Sequence, residues 1–162
     1  MAASAERLGK KLTSQYEKSV SFFKSLPDFI WDERLYTDGA EWTVHQVFAH
    51  IVEVEGSILY LMISISQGGT GVGPDFDIDR YNASAVRKIS TKSREELFSL
   101  FEERRTRMLA FVEGLSPEEL ALTGNHPYLG EAKLGEMLKM LLLHINGHIR
   151  DIRKAFGETL GE

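Results

Sequence analysis

The stretch LLLHINGHIRDIRKAF, residues 141–156, decides the fold that we predict for this chain. Its apolar residues recur every three or four positions, as they do on the buried side of an amphipathic helix. The same period extends the predicted helix over residues 134–156, with Gly157 as its C-terminal cap. Two of the five histidines, His144 and His148, lie in this stretch four residues apart. Residues at that spacing are neighbours on a helix surface, with Cβ atoms about 5–6 Å apart, so both imidazoles point the same way.

The helical period recurs in three other long segments. It predicts one helix in residues 4–26, one from Thr43 to the glycines at 68 and 69, and one from near Ser93 to Gly114. Thr43 and Ser93 are each followed three residues later by Gln or Glu, which is the pattern of a capping box.

Four amphipathic helices predict an all-α fold, a four-helix bundle in a single domain spanning residues 1–162. The connection 66–92 is long enough for a crossover between helices, and it contains a short helical segment at 78–89. Another helical turn begins at Ser116. We expect LTGNHPYLGEAK, residues 122–133, to be a loop, and the chain has no segment that predicts a strand.

Two histidines on one helix can bind one metal ion, at about 2.0–2.1 Å per nitrogen, but a third ligand must come from another helix. His50 is the best candidate, because it lies three residues after Val47 and four before Val54, beside the apolar stripe of the second helix. His45 lies in the exposed first turn of that helix, and nothing in the sequence fixes the direction of His126. The alternative is three core histidines, each with its own hydrogen-bond partner, whereas a shared metal ion satisfies all three nitrogens together.

Other metal and nucleophile patterns do not fit. The chain has no cysteine, so a metal ligand must be His, Asp or Glu. The zinc protease signature requires Glu directly after the first histidine, where this chain has Ile145. The di-iron bundle signature is Glu-x-x-His, whereas His50 and Glu53 stand in the reverse order. No nucleophile elbow is present to support serine catalysis.

Glu53 is the candidate catalytic residue, one turn after His50. It could act as a general base, accept a hydrogen bond from the His50 ring, or be a solvent-facing carboxylate beside Glu55; we favour the second. Asp151, three residues after His148, has the same two functional interpretations. Five aromatic residues are candidate walls of a substrate pocket or plain core residues: Trp42, Phe48, Tyr60, Phe76 and Tyr128.

Composition and charge predict the partners. The formal net charge is −5, which disfavours phosphate binding, so we expect no nucleic-acid partner. Arg104, Arg105 and Arg107 follow two glutamates and predict a solvated helix face. The longest apolar run is far short of a membrane span, and the N-terminus has no signal pattern, so we expect a cytoplasmic protein that does not bind a membrane. The glycines of residues 68–77 lack the lysine and strand of a phosphate loop and predict a mobile connector.

Two segments carry a family resemblance: WTVHQVFAHIVEVEG, residues 42–56, and LGEMLKMLLLHINGHIRDIRKAFGE, residues 134–158. They resemble the DinB-like superfamily, which includes the YfiT-like metal-dependent hydrolases. The resemblance implies a four-helix bundle, often a homodimer, in which His50, His144 and His148 bind a divalent transition metal. Zinc or nickel is implied first, with iron or manganese as alternatives.

The resemblance also implies an enzyme that hydrolyses a small molecule or transfers a low-molecular-weight thiol. Two alternatives stay open. One is a non-catalytic metal- or ligand-binding module, and the other is a metal-free helical dimer whose histidines are buried and neutral.

Overall fold

Capping side chains mark where the long helices begin. A computed structural model describes residues 4–36 and 40–161 of the chain. Thr43 accepts a hydrogen bond from the Gln46 N–H, and the Gln46 side chain accepts one from the Thr43 N–H. Ser93 and Glu96 form the same capping box. Both predicted helix starts are confirmed, because these side chains satisfy N–H groups that have no partner within the helix.

The described residues form six α-helices, one short 3-10 helix and one β-hairpin. The α-helices are α1 (Ala5–Ser25), α2 (Val44–Ser66), α3 (Ile78–Ile89), α4 (Arg94–Glu113), α5 (Pro117–Leu120) and α6 (Leu134–Leu160). The 3-10 helix is Asp28–Asp32, and the strands are β1 (Thr123–His126) and β2 (Gly130–Lys133).

Helices α1, α2, α4 and α6 form the predicted four-helix bundle. α1 packs against α4 and α6, and α2 packs against the same two helices. The first two long helices are therefore diagonal to each other, and so are α4 and α6. The chain thus crosses the bundle between α1 and α2 and between α4 and α6, whereas the long connection before α4, which could have held a crossover, joins the neighbouring helices α2 and α4. This order makes α2 and α6 direct neighbours, which brings together the helices that carry His50, His144 and His148.

Aromatic rings fill the centre of the bundle. The fully buried Phe48 ring of α2 lies 4.5 Å from the Phe23 ring, 4.8 Å from Phe98, 5.6 Å from Trp31 and 5.9 Å from Phe101, measured between centroids. Such tilted and edge-to-face pairs are favoured over face-to-face stacks. Phe48 is thus a core residue rather than a pocket wall.

The predicted loop 122–133 is wrong, since it contains the antiparallel hairpin β1–β2, with His126 paired to Gly130. Its strands have four residues each and few β-branched side chains, so the sequence lacks the alternation that predicts a strand. Tertiary pairing supplies the stability instead. A parallel bridge joins Gly71 to Asn125, so the glycine connector is hydrogen-bonded to β1 rather than free.

Helix α6 continues past Gly157, where we expected its cap, and ends at Gly161 with φ 75°. Glycine in a helix interior costs about 1 kcal/mol relative to alanine, which packing can offset. Phe156 and Leu160 pack against the core on either side of Gly157, and they extend the helix by about one turn.

Arg105, expected to lie on a solvated helix face, is instead buried together with Glu55, with exposures of 1% and 0%. Two guanidinium nitrogens of Arg105 donate to the two carboxylate oxygens of Glu55, and a third donates to the Leu12 carbonyl at 2.6 Å. Arg105 lies in a local run of charged residues, and that pattern gives no sign that Arg105 and Glu55 form an ion pair buried between helices.

Helix α2 also corrects the statement that no apolar run could span a membrane. By length and mean hydropathy alone, this helix is long and apolar enough to do so. However, 56% of its most apolar stretch is buried inside the fold, as in a core helix, and α2 carries the charged residue Glu55 at full burial.

Candidate metal centre

Three histidines meet between α2 and α6. The His144 Nε2 atom lies 3.0 Å from the Nε2 atom of His50 and 3.0 Å from that of His148. We call these residues the histidine cluster; their ligand atoms all lie within 4.8 Å of one another. His50 is buried and the other two are partly buried. The structure thus brings together the three residues that the sequence selects.

The protonation of His148 follows from its neighbours. The Tyr36 hydroxyl lies 2.7 Å from Asp151 Oδ2 and 2.8 Å from His148 Nδ1. An ionised carboxylate only accepts hydrogen bonds, so Tyr36 donates its single proton to Asp151 and accepts one from His148 Nδ1–H. The neutral His148 ring then has no proton on Nε2, and that lone pair points at the cluster.

Asp151 therefore acts on the cluster through Tyr36, a residue that no sequence pattern singles out. Tyr36 is separated from His148 by more than a hundred residues and has no motif around it, so spacing gives no signal for this contact. Only the fold brings the segment before α2 against α6.

Burial keeps the cluster uncharged at neutral pH. Desolvation, with some repulsion from the neighbouring imidazoles, lowers the pKa of His50 to about 2 and that of His144 to about 3. Desolvation also lowers the pKa of His148 to about 4, although Asp151 opposes it. Neutral imidazole is the protonation state in which histidine binds a metal.

The donor set fits a divalent transition metal. Two nitrogens that each lie about 2.0–2.1 Å from one ion, at angles near 90–110°, are about 2.9–3.4 Å apart. The two 3.0 Å separations fall within that range. When all three Nε2 atoms are unprotonated, their lone pairs repel one another unless a cation lies between them, and imidazole ligands suit zinc, nickel, copper and iron. The three histidines could therefore hold such an ion.

A pocket of about 860 Å³ opens beside the cluster. His50 and His144 line one part of it, and Glu53 lines it one helical turn from His50. The predicted wall residues Tyr60, Phe76 and Tyr128 lie on it. Trp42 instead stacks near the His50 ring, with centroids 4.8 Å apart.

Glu53 is oriented by Tyr81 rather than by His50. The Tyr81 hydroxyl donates to Glu53 Oε1 at 2.8 Å, while Oε2 is buried without a partner. Among the described residues no hydrogen bond joins Glu53 to His50. Desolvation raises the pKa of Glu53, opposed by the Tyr81 hydrogen bond and by Arg104.

The other two histidines lie outside the cluster. His45 Nε2 lies 3.1 Å from the Ser90 carbonyl oxygen, and its ring packs on Trp31. His126 is 7% exposed and lines the pocket from the end of β1. The structure fixes the direction of His126, which the sequence left open.

Fold and site together define a class of protein: a four-helix bundle in which two adjacent helices direct three imidazoles at one point beside a pocket. The family model of the DinB superfamily matches residues 11–152, so this chain belongs to the DinB superfamily. No protein with a curated description matches the sequence.

Solved structures share the fold at low sequence identity. One of them is YfiT from Bacillus subtilis, described as a probable metal-dependent hydrolase with an unusual four-helix bundle topology. It aligns with a TM-score of 0.76 and 18% identity, over 96% of this chain and 87% of that chain. The mycothiol-dependent maleylpyruvate isomerase aligns with a TM-score of 0.75 and 16% identity over 93% of this chain. The present chain spans only 61% of that isomerase.

A third structure corrects the expected partners. The colibactin self-resistance protein ClbS aligns with a TM-score of 0.72 and 18% identity, over 93% of this chain and 94% of that chain. Its structure was solved in complex with a double-stranded DNA. The prediction that nucleic acid is excluded is therefore wrong. It rested on net charge, which sums over the whole surface and does not describe one face of it.

Proposed function

We propose that this protein is a metal-dependent enzyme that acts on a small organic molecule, with His50, His144 and His148 as the metal ligands. The convergence of three Nε2 atoms beside a pocket of about 860 Å³ is the observation that carries the proposal. A divalent ion, zinc or nickel first, would supply a Lewis acid that stabilises negative charge on an oxygen or sulfur atom.

The residues around the cluster have separate tasks in this proposal. Tyr36 and Asp151 hold the His148 ring so that its Nε2 lone pair faces the site. Glu53 exchanges a proton at Oε2, because Tyr81 already donates to Oε1 and Oε2 is the oxygen without a partner. A carboxyl group with a raised pKa in a pocket is suited to such a transfer.

Metal content tests the proposal first. We expect one equivalent of transition metal in protein purified without a histidine tag, and its loss in His148→Ala with the helical circular dichroism unchanged. His45→Gln is the matched control, because His45 is on α2 but outside the cluster. A native protein that binds neither zinc, nickel nor cobalt would refute the proposal.

Reaction type can be separated with the cobalt(II)-loaded protein. The chain has no cysteine, so a thiolate-to-cobalt charge-transfer band can come only from an added thiol. A band on adding a low-molecular-weight thiol favours thiol transfer, which the mycothiol-dependent neighbour supports. Hydrolysis of an activated ester such as p-nitrophenyl acetate without such a band favours the hydrolase, which the YfiT neighbour supports.

Glu53→Gln then tests the proton transfer. The variant should keep its metal and lose about 100-fold to 10,000-fold in turnover of the substrate so identified. Unchanged turnover would assign Glu53 to structure alone.

A further inference from the structure

His126 has a ring orientation that its own loop determines. Its Nδ1 atom accepts hydrogen bonds from the backbone N–H groups of Tyr128 and Leu129, both at 3.1 Å. A nitrogen that accepts two hydrogen bonds does not carry a proton, so the proton of the neutral ring is on Nε2. His126 is thereby fixed as a donor through Nε2–H.

The β1–β2 hairpin holds His126 in place. His126 ends β1 and pairs with Gly130, whose φ of 72° suits a glycine at the end of a tight hairpin loop. The hairpin packs on α2 and α6, and Asn125 beside it is bridged to Gly71. Burial lowers the pKa of His126, so the ring remains neutral at neutral pH.

The His126 ring lines the same pocket as the histidine cluster. His126, His144 and Glu53 all line it. Both described hydrogen bonds of the His126 side chain use Nδ1, which leaves the Nε2–H group for a ligand. Much of the remaining lining is apolar: Val54, Ile58, Leu61, Val72, Ile78 and Leu141. Glu53 and Asp79 are its carboxylates, and among the described residues no lysine or arginine lines it.

We propose that His126 is a substrate-binding residue, whose Nε2–H donates to a carbonyl-type oxygen of a largely apolar, uncharged molecule in the pocket. A neutral acceptor is favoured at His126 because Glu53 and Asp79 share the pocket and no lysine or arginine among the described residues lines it, so an anionic group there would have only the metal as a counter-charge. The inference rests on the proposed metal-dependent function, since the bound carbonyl compound lies beside the metal.

Binding of benzohydroxamate to the cobalt(II)-loaded protein provides the test. This probe has an apolar ring and a hydroxamate group that binds the metal through its carbonyl and hydroxamate oxygens, and the carbonyl oxygen can also accept from the His126 Nε2–H. In His126→Phe, which keeps an aromatic ring without a donor, we expect the Kd to rise about 10-fold through loss of one hydrogen bond. In His126→Gln, whose amide can accept from the loop and donate into the pocket, the Kd should stay within about threefold of the native value.

A second measurement needs no variant. In zinc-loaded protein labelled with ¹⁵N-histidine, the nitrogen shifts should show His126 with its proton on Nε2, and benzohydroxamate should shift that resonance. A proton on Nδ1, or an unmoved Nε2–H while the cobalt spectrum reports binding, overturns the role of His126 and leaves the metal centre standing. Equal Kd values in native protein and His126→Phe overturn it too. Failure to bind cobalt, zinc and nickel alike refutes the proposed function itself, and cobalt binding without any hydroxamate response overturns the assignment of the pocket.

Discussion

At the residue scale, Tyr36 is the contact that selects the ring tautomer of His148. Its hydroxyl donates to Asp151 and accepts from His148 Nδ1–H, so the ring is fixed by a pair of residues from two parts of the chain. Hydrogen bonds of this kind around metal-ligating histidines raise the basicity of the ligand and prevent rotation of the ring.

Tyr36→Phe removes this hydroxyl and keeps the aromatic ring. We expect zinc affinity to fall about 10-fold, because His148 loses the acceptor that orients it. Competition with a chelator measures the Kd. Tyr60→Phe is the control, since Tyr60 is 77% exposed and lies on the pocket rather than behind the cluster. Equal affinities in the native protein and both variants would contradict the role of Tyr36.

The cluster also makes the stability of the metal-free protein depend on pH. Its three pKa values are lowered from 6.5 in the folded state, so the unfolded chain binds protons there first as the pH falls. Stability from these groups is fully present above about pH 6.5 and is lost below it, by up to about 1.4 kcal/mol per pH unit for each histidine.

Denaturant unfolding of chelator-treated protein between pH 7 and pH 5 measures this loss. His148→Gln removes one titrating group, so the free energy of unfolding should fall less steeply with decreasing pH than in the native protein. Parallel curves for the two proteins would show that His148 is protonated alike in the folded and unfolded states.

At the element scale, the segment between α2 and α3 is positioned by Gly71. Val72 N–H donates to the Asn125 carbonyl at 2.9 Å, and Asn125 N–H donates to the Thr70 carbonyl at 2.8 Å. Gly71 has φ 88°, and a Cβ atom on it would overlap the backbone of Asn125. The glycine is thus required by both its conformation and the close approach of β1.

Gly71→Ala should therefore destabilise the fold by about 1–3 kcal/mol, since both the backbone strain and the overlap must be relieved. Thermal unfolding measures the change. Gly73→Ala is a matched control two residues away, because Gly73 has no positive φ and a Cβ there meets nothing within 4 Å. If both variants unfold at the native temperature, the contact with β1 does not stabilise the fold.

At the scale of the whole molecule, one ion pair joins three of the four bundle helices. Arg105 of α4 binds Glu55 of α2 and the Leu12 carbonyl of α1, and the Tyr16 and Phe101 rings lie 5.8 and 5.6 Å from its guanidinium. Burial of both charges is costly, so each needs the other.

Glu55→Ala should cost about 3–5 kcal/mol, because it leaves a buried guanidinium without a counter-charge. The double variant Glu55→Leu/Arg105→Met should recover most of that loss, since it removes both charges and keeps apolar volume. Chemical denaturation measures the free energies, with Glu103→Ala, exposed on α4, as the control. A double variant as unstable as Glu55→Ala would show that the cost comes from lost packing.

Local patterns were sufficient for the long helices. Capping pairs at Thr43 and Ser93 and the apolar period of residues 134–156 predict them, because caps and amphipathic stripes are properties of neighbouring residues. The cluster was predictable for the same reason: His144 and His148 share a helix face, and His50 borders an apolar stripe that must turn inward.

Other features depend on contacts between residues far apart in the chain. The hairpin forms because the Gly71 segment and α6 flank it, and Arg105 is buried because Glu55 lies opposite it on another helix. The Tyr36 contact with His148 and the ring orientation of His126 could not be predicted from the sequence either. The helices, the bundle and the three histidines can be predicted from sequence, because their signals repeat every three or four residues. The ion pair, the ring tautomers and the pocket cannot, because burial and hydrogen bonding between distant segments exist only once the helices have packed.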